Sequence, residues 1–385
     1  MSDPQVPPAV VPESALLKRL RAPGPKRMLA LDGGGIRGLI SLCFLKEIET
    51  ILRRMHGRSD YLLCDYFDLI GGTSTGSIIA SALALGHPVD EIIDGYRRLG
   101  ARIFGRKRFR WWQSVFQEDE LTKGILETVG EVCLGDPSVR TGLCIVTKRA
   151  DTNSTWPLFN HPVGRFYEAN RSYRLADIVR ASVAAPVAFT PLRMALAPGQ
   201  YGTFIDGGVG VGNSPALLMF LLATLKGFPF QWATGEQNLM LVSVGTGSWT
   251  WRLDAEAMAR HKVWDWLTTV PAMIMQENTW MNQALLQYLS HSPTASVLDS
   301  EMGDLAQDVL GGTPALTYLR YNAALDADRL DTLGLSHLTP RVEHLRKLHY
   351  AEGISGLEEI GTREASVQVK PGHFPPEFIR KGERA

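Results

Sequence analysis

DLIGGTSTGS, Asp68 to Ser77, ends an apolar run in two glycines and sets one serine between two threonines. Its inner five residues, Gly72-Thr73-Ser74-Thr75-Gly76, fit G-x-S-x-G, a pattern in which a strand turns sharply into a helix and holds a serine hydroxyl at the turn. Glycines permit the tight turn and the close packing around it. A serine becomes an effective nucleophile only when a base takes its proton. The first turn of the following helix would aim amides at the negative charge that then develops. The same residues also read as a glycine-rich strand–helix turn with a helix-capping serine. A proton acceptor for Ser74 would separate the two readings.

Outward from this stretch, glycine punctuation divides the chain. RMLALD, Arg27 to Asp32, reads as a short strand ending in GGGIRG. LISLCFLKEIETILRRM, Leu39 to Met55, places apolar residues at helical spacing and ends in basic residues, which suits a helix C-terminus. YFDLIGG is a second strand, and SIIASALALG a helix closed by Gly86. GLCIVTKR near 142–149, GTFIDGG near 202–208 and NLMLVSVGTG at 238–247 read as three more strands. Such alternation argues for an α/β layer fold with a largely parallel sheet. Ligands in these sheets bind at the carboxyl ends of the strands, and three glycine-marked motifs sit at such ends. After about residue 250 the pattern turns helical, with VWDWLTTVPAMIMQENTWMNQALLQYL interrupted at Pro271, and then mixed. The reading divides the chain into a flexible proline-rich tail at 1–26, an α/β core at 27–250 and a mainly helical portion at 251–385 packed on it.

Composition sets outer limits. With 385 residues, 45% hydrophobic, the chain can bury a core that needs no staples. Its formal net charge of zero gives no whole-protein attraction to nucleic acid, and no nucleic-acid partner is expected. Of four cysteines, Cys43, Cys64, Cys133 and Cys144, three lie in apolar runs and none pairs as C-x-x-C, as in reduced buried thiols. The N-terminal residues lack the basic-then-apolar layout of a secretory signal. The apolar run Ala216 to Leu225 is too short to span a bilayer. A cytoplasmic protein, able to touch a membrane surface, is expected.

Two further motifs bear on Ser74. Asp32-Gly33-Gly34-Gly35-Ile36-Arg37-Gly38 follows a strand and opens a helix, so its amides can crowd around an anion or an oxyanion. Gly33, Gly35 and Gly38 also match the dinucleotide pattern G-x-G-x-x-G. That pattern calls for an acidic residue about twenty positions on, where this chain has the mostly basic RRMHGRSD. A nucleotide or NADP site therefore remains as an alternative. None of the nine histidines sits at a glycine-marked strand end. Asp206 does, in TFIDGGVGVGNSP, followed by Gly207 and Gly208. It reads either as a cleft-facing acid or as a turn aspartate bonding its own backbone.

Taken in order, D-G-G-G-x-R-G, G-x-S-x-G and D-G-G resemble the patatin-like phospholipases. ASVAAPVAFTP, Ala181 to Pro191, is similar to the segment preceding that family's catalytic aspartate, and SVGTG to its later strand-end loop. The resemblance covers about residues 27–247, with YLRYNAALD a looser echo of the C-terminal part. It implies a three-layer α/β/α fold with a mostly parallel sheet. It implies a phospholipase A-type acyl hydrolase with a Ser74–Asp206 dyad and no histidine, cofactor or metal. Ser74 corresponds to the nucleophile and Asp206 to the general base. Gly33, Gly34 and Gly35 correspond to the oxyanion loop, supported by Asp32, Arg37, Gly38, Gly72, Gly76, Gly207 and Gly208. Arg37 either offsets a head-group charge or pairs with a nearby acid. A ligand-activated, membrane-degrading effector of the same fold is a further alternative.

Two stretches bear on how lipid would reach the site. RIFGRKRFRWWQSVF, residues 102–116, interleaves cations with aromatics, a composition suited to a membrane interface. The Met- and Trp-rich residues 263–289 suit core or homo-oligomer packing, or an acyl groove.

Overall fold

Strand β1 (Lys26–Leu31) is buried along its whole length, and its side chains divide between two cores. Leu29 and Leu31 join one cluster, Met28 and Ala30 the other, as the two-residue period of a strand requires. β2 (Leu69–Thr73), β3 (Gly142–Arg149), β4 (Ser154–Phe159), β5 (Leu192–Ala197), β6 (Gln200–Asp206), β7 (Leu239–Val244) and β8 (Thr317–Tyr321) complete an eight-stranded sheet. The computed structural model describes residues 14–104, 118–186, 188–250 and 254–379.

Strands β3-β2-β1-β7-β8 form a parallel run, and β4, β6 and β5 add antiparallel pairings at the β3 side. Helices Gly38–His56, Thr75–Ala84 and Ile354–Gln368 contribute to the larger core, and helices Ala15–Arg21 and Ala216–Thr224 to the smaller one. Both faces are covered, which is why β1 and β7 are apolar runs rather than alternating ones. The chain is a mixed α/β protein of three layers with a mostly parallel central sheet. Asp68, the first residue of the quoted stretch, is buried and takes the Arg27 guanidinium of β1 at 3.0 Å. Helix Gly38–His56 closes on Gly57 at φ 64°, with Arg53, Arg54 and His56 in its last turn.

Three features differ from the sequence reading. Residues 15–21, assigned to a flexible tail, form a helix capped by Ser14, and residues 1–13 lie outside the described residues. Leu17 and Leu20 are buried, Leu20 joins the smaller core with Leu16 packed against it, and Trp232 Nε1 donates to Leu20 O at 3.0 Å. The helix read as interrupted at Pro271 runs from Val263 to Leu289 without a break. Its second half is anchored by buried Asn282, Leu286 and Gln287, so tertiary packing outweighs the local proline preference. Finally, β8 lies beyond residue 250 and pairs with β7, so the sheet continues into the portion read as mainly helical.

Candidate active site

Strand pairing brings the quoted serine and Asp206 together. Residues Thr147–Arg149 of β3 carry β4 on one edge and β6 on the other. The second edge is the one that β2 occupies further back, from Gly142 to Val146. β2 runs with β3 and β6 runs against it, so the two strands approach head-on along a single edge. Thr73 pairs with Val146 and Asp206 with Thr147, and the two carboxyl ends meet there.

Ser74 sits at the turn with φ 53° and ψ −128°, a strained conformation for a residue with a Cβ. The turn is held from several sides. Ser74 N donates to Ser182 Oγ at 2.8 Å, and Ser182 Oγ donates to Val146 O at 2.7 Å. Thr73 Oγ1 donates to Gly212 O at 2.5 Å. Gly76 permits the close pass of the elbow over β1, because a Cβ there would lie 2.4 Å from Leu31 O. Ser74 stands at the N-cap of the following helix, but its side chain makes no cap hydrogen bond. Its Oγ instead donates to Asp206 Oδ2 at 2.6 Å.

Asp206 is 6% exposed. Its second oxygen, Oδ1, accepts the Gly208 amide at 2.7 Å, so the turn bond and the serine contact coexist on one carboxylate. Burial drives its pKa up to about 6, against the opposing pull of the Ser74 and Gly208 hydrogen bonds. A carboxylate adjusted in this way is a stronger base than a free aspartate and remains ionised at neutral pH.

The glycine loop closes over the pair. An added Cβ on Gly33 would lie 3.2 Å from Ser74 Cβ. Gly33 N donates to Asn213 O at 3.0 Å, Gly33 O accepts from Thr246 Oγ1 at 3.0 Å, and Gly34 N donates to Thr75 Oγ1 at 3.2 Å. Gly35 takes φ 56°. With these amides turned onto the protein's own loops, the nucleotide or NADP alternative is not favoured. Asp32, at the root of the loop, is buried and accepts Arg320 Nη2 at 2.6 Å, while Arg320 Nη1 donates to Ser243 Oγ at 2.7 Å. Among the described residues Arg37 forms no ion pair with an acid. Its Nη1 donates to Arg346 O at 3.1 Å, its guanidinium lies 5.1 Å from the centre of the Trp249 ring, and burial lowers its pKa to about 10.

The sequence reading thus placed Ser74, Asp206 and the glycine loop, and these come together. It missed Arg320, Ser182, Asn213, Thr246 and Tyr96 as residues that hold them. Arg320 had a signal, a lone charge inside the apolar TYLRY. Residues 105–117, which hold most of the basic and aromatic stretch proposed for membrane contact, lie outside the described residues. Among the described residues no helix is long and apolar enough to cross a membrane.

Comparison with known proteins gives concordant results. The sequence profile described as patatin-like phospholipase matches residues 29–220. Patatin group J-1 of Solanum tuberosum is 26% identical over 273 residues, covering 66% of this chain and 70% of that protein. A cGAMP-activated phospholipase of Pseudomonas aeruginosa is 33% identical over 49% of this chain and 54% of its own length. One from Vibrio cholerae is 31% identical over 50% and 56%. The chain therefore matches just over half the length of these two bacterial relatives.

Proposed function

Because the chain belongs to the patatin-like phospholipase family, we propose that it releases fatty acids from glycerophospholipids by acyl transfer through Ser74 and Asp206. The observation that carries this reading is the 2.6 Å hydrogen bond from Ser74 Oγ to a buried Asp206. Ser74 Oγ attacks the ester carbonyl as Asp206 takes its proton. The tetrahedral oxyanion is met by the amide of Gly35 and by that of Thr75, which as the first helical residue has no intrahelical acceptor. Gly33 and Gly34 leave the expected donor set, since their amides are committed to Asn213 O and Thr75 Oγ1. The proton passes to the leaving alcohol and an acyl-Ser74 remains. Asp206 then draws a proton from water, whose attack releases the fatty acid and restores the hydroxyl. One oxyanion donor is worth about 3–4 kcal/mol in such reactions, so rigid placement of the glycine loop is a main requirement.

The base sets the pH dependence. Asp206 must be ionised to accept the proton, and its pKa is raised to about 6. Values of kcat/KM should be level above that point and fall about tenfold per pH unit below it. A pH series on a soluble short-chain ester, with folding checked at each point, reads this directly. A profile flat from pH 7 to pH 4 would remove Asp206 as the base. Mass mapping after treatment with a fluorophosphonate tests the nucleophile, and the adduct is expected on Ser74. Labelling confined to another residue contradicts the assignment.

A second reading keeps the site and adds a ligand switch. It rests on the two relatives named as cGAMP-activated. Activity that appears only with cGAMP supports it, and full activity without any nucleotide counts against it.

A further inference from the structure

Gly38, the last glycine of the loop motif, has a specific steric neighbour. A Cβ at that position would lie 2.4 Å from Tyr96 Oη. Tyr96 comes from helix Val89–Phe104, outside all three motifs, and is 6% exposed. Its hydroxyl donates to Gly35 O. That bond commits the phenol's single proton.

Thr75 Oγ1 in turn accepts from Gly34 N at 3.2 Å. Tyr96 thus holds the Gly35 carbonyl, and Thr75 holds the Gly34 amide. Thr75 directly follows the serine, and Gly34 and Gly35 flank the peptide unit that carries the Gly35 amide. We propose that Tyr96 is a positioning residue, whose hydroxyl holds the Gly35 carbonyl and so fixes the Gly35 amide relative to Ser74. This rests on the acyl-hydrolase reading and extends it, since Tyr96 touches neither Ser74 nor the reacting ester. Burial holds the Tyr96 pKa far above the usual phenol range, so the donated proton stays in place across the working pH range.

Tyr96→Phe keeps the ring over Gly38 and removes only the hydroxyl. Small misplacements of a catalytic group lower rates steeply. On a soluble p-nitrophenyl ester kcat should fall about tenfold or more, with KM within about twofold of wild type. Phosphonylation of Ser74 should slow in parallel, while the melting temperature shifts by only a few degrees. A merely structural role would lower the melting temperature and leave kcat per folded molecule unchanged. Active wild type together with a Tyr96→Phe kcat within about twofold of it would overturn the inference. Wild-type protein inert to both ester and fluorophosphonate would instead overturn the hydrolase reading, and this inference with it.

Discussion

Ser74→Ala is expected to reduce fatty-acid release from phospholipid vesicles by at least roughly 10⁴-fold, the scale of loss seen when a nucleophile is removed from an acyl-transfer site. The effect is large because the rest of the machinery acts through that oxygen. Asp206 Oδ2 receives its proton at 2.6 Å, and the elbow holds it at φ 53°. Removing Oγ leaves Asp206 bonded to the Gly208 amide, so the loop that carries the base retains its own anchor. The lost hydrogen bond favoured the charged carboxylate, so the Asp206 pKa rises further in the variant. Ser74 N, Thr73 Oγ1 and the glycines of the elbow are untouched. The variant should therefore melt close to wild type while losing activity. A folded Ser74→Ala protein that still releases fatty acid would exclude this nucleophile.

Arg320→Met is expected to destabilise the fold by about 3–5 kcal/mol, the usual result of stripping one partner from a buried ion pair. Asp32 and Arg320 are both nearly inaccessible, at 3% and 6% exposure, and are joined at 2.6 Å. They link the end of β1 to β8 across β7, with Ser243 of β7 as the third member. Methionine fills much of the volume but leaves the Asp32 carboxylate without its cation. Chemical denaturation measures the loss. Adding Asp32→Asn should recover part of it, because removing both charges avoids the unpaired one. Activity should fall in either variant, since Asp32 is the root of the glycine loop. A single variant within about 1 kcal/mol of wild type would mean that the pair is not the tie described here.

The β–turn–α units were legible because a both-faced buried strand and an amphipathic helix leave strong local patterns. RMLALD, DLIGG, GLCIVTKR and NLMLVSV all form strands of the sheet. β4 and β5 were missed because they are half-exposed and their polar and apolar residues do not alternate cleanly. TYLRY was read only as part of a mixed stretch, since its buried arginine masks a strand whose charge is paired 288 residues earlier in the chain. The site divides in the same way. Ser74, Asp206 and the glycine loop carry short sequence signatures, because special turns demand glycine. Their supports were not singled out individually, although Ser182 lies in ASVAAPVAFTP, Asn213 in TFIDGGVGVGNSP and Thr246 in SVGTG. Ser182 and Tyr96 sit in ordinary helices, and nothing local distinguishes a helix tyrosine that packs from one that hydrogen-bonds a loop carbonyl. The same limit explains Arg37, whose partners are a backbone carbonyl and an indole ring rather than an acid.

The most direct test of the acyl-hydrolase account is mass spectrometry of the lipids left after wild-type protein acts on defined phospholipid vesicles. Ser74→Ala serves as the blank, and a parallel arm contains cGAMP. The expected products are free fatty acid and the matching lysophospholipid, absent from the blank. Intact phospholipid in both arms, or cleavage on the phosphate side to leave diacylglycerol, would contradict it.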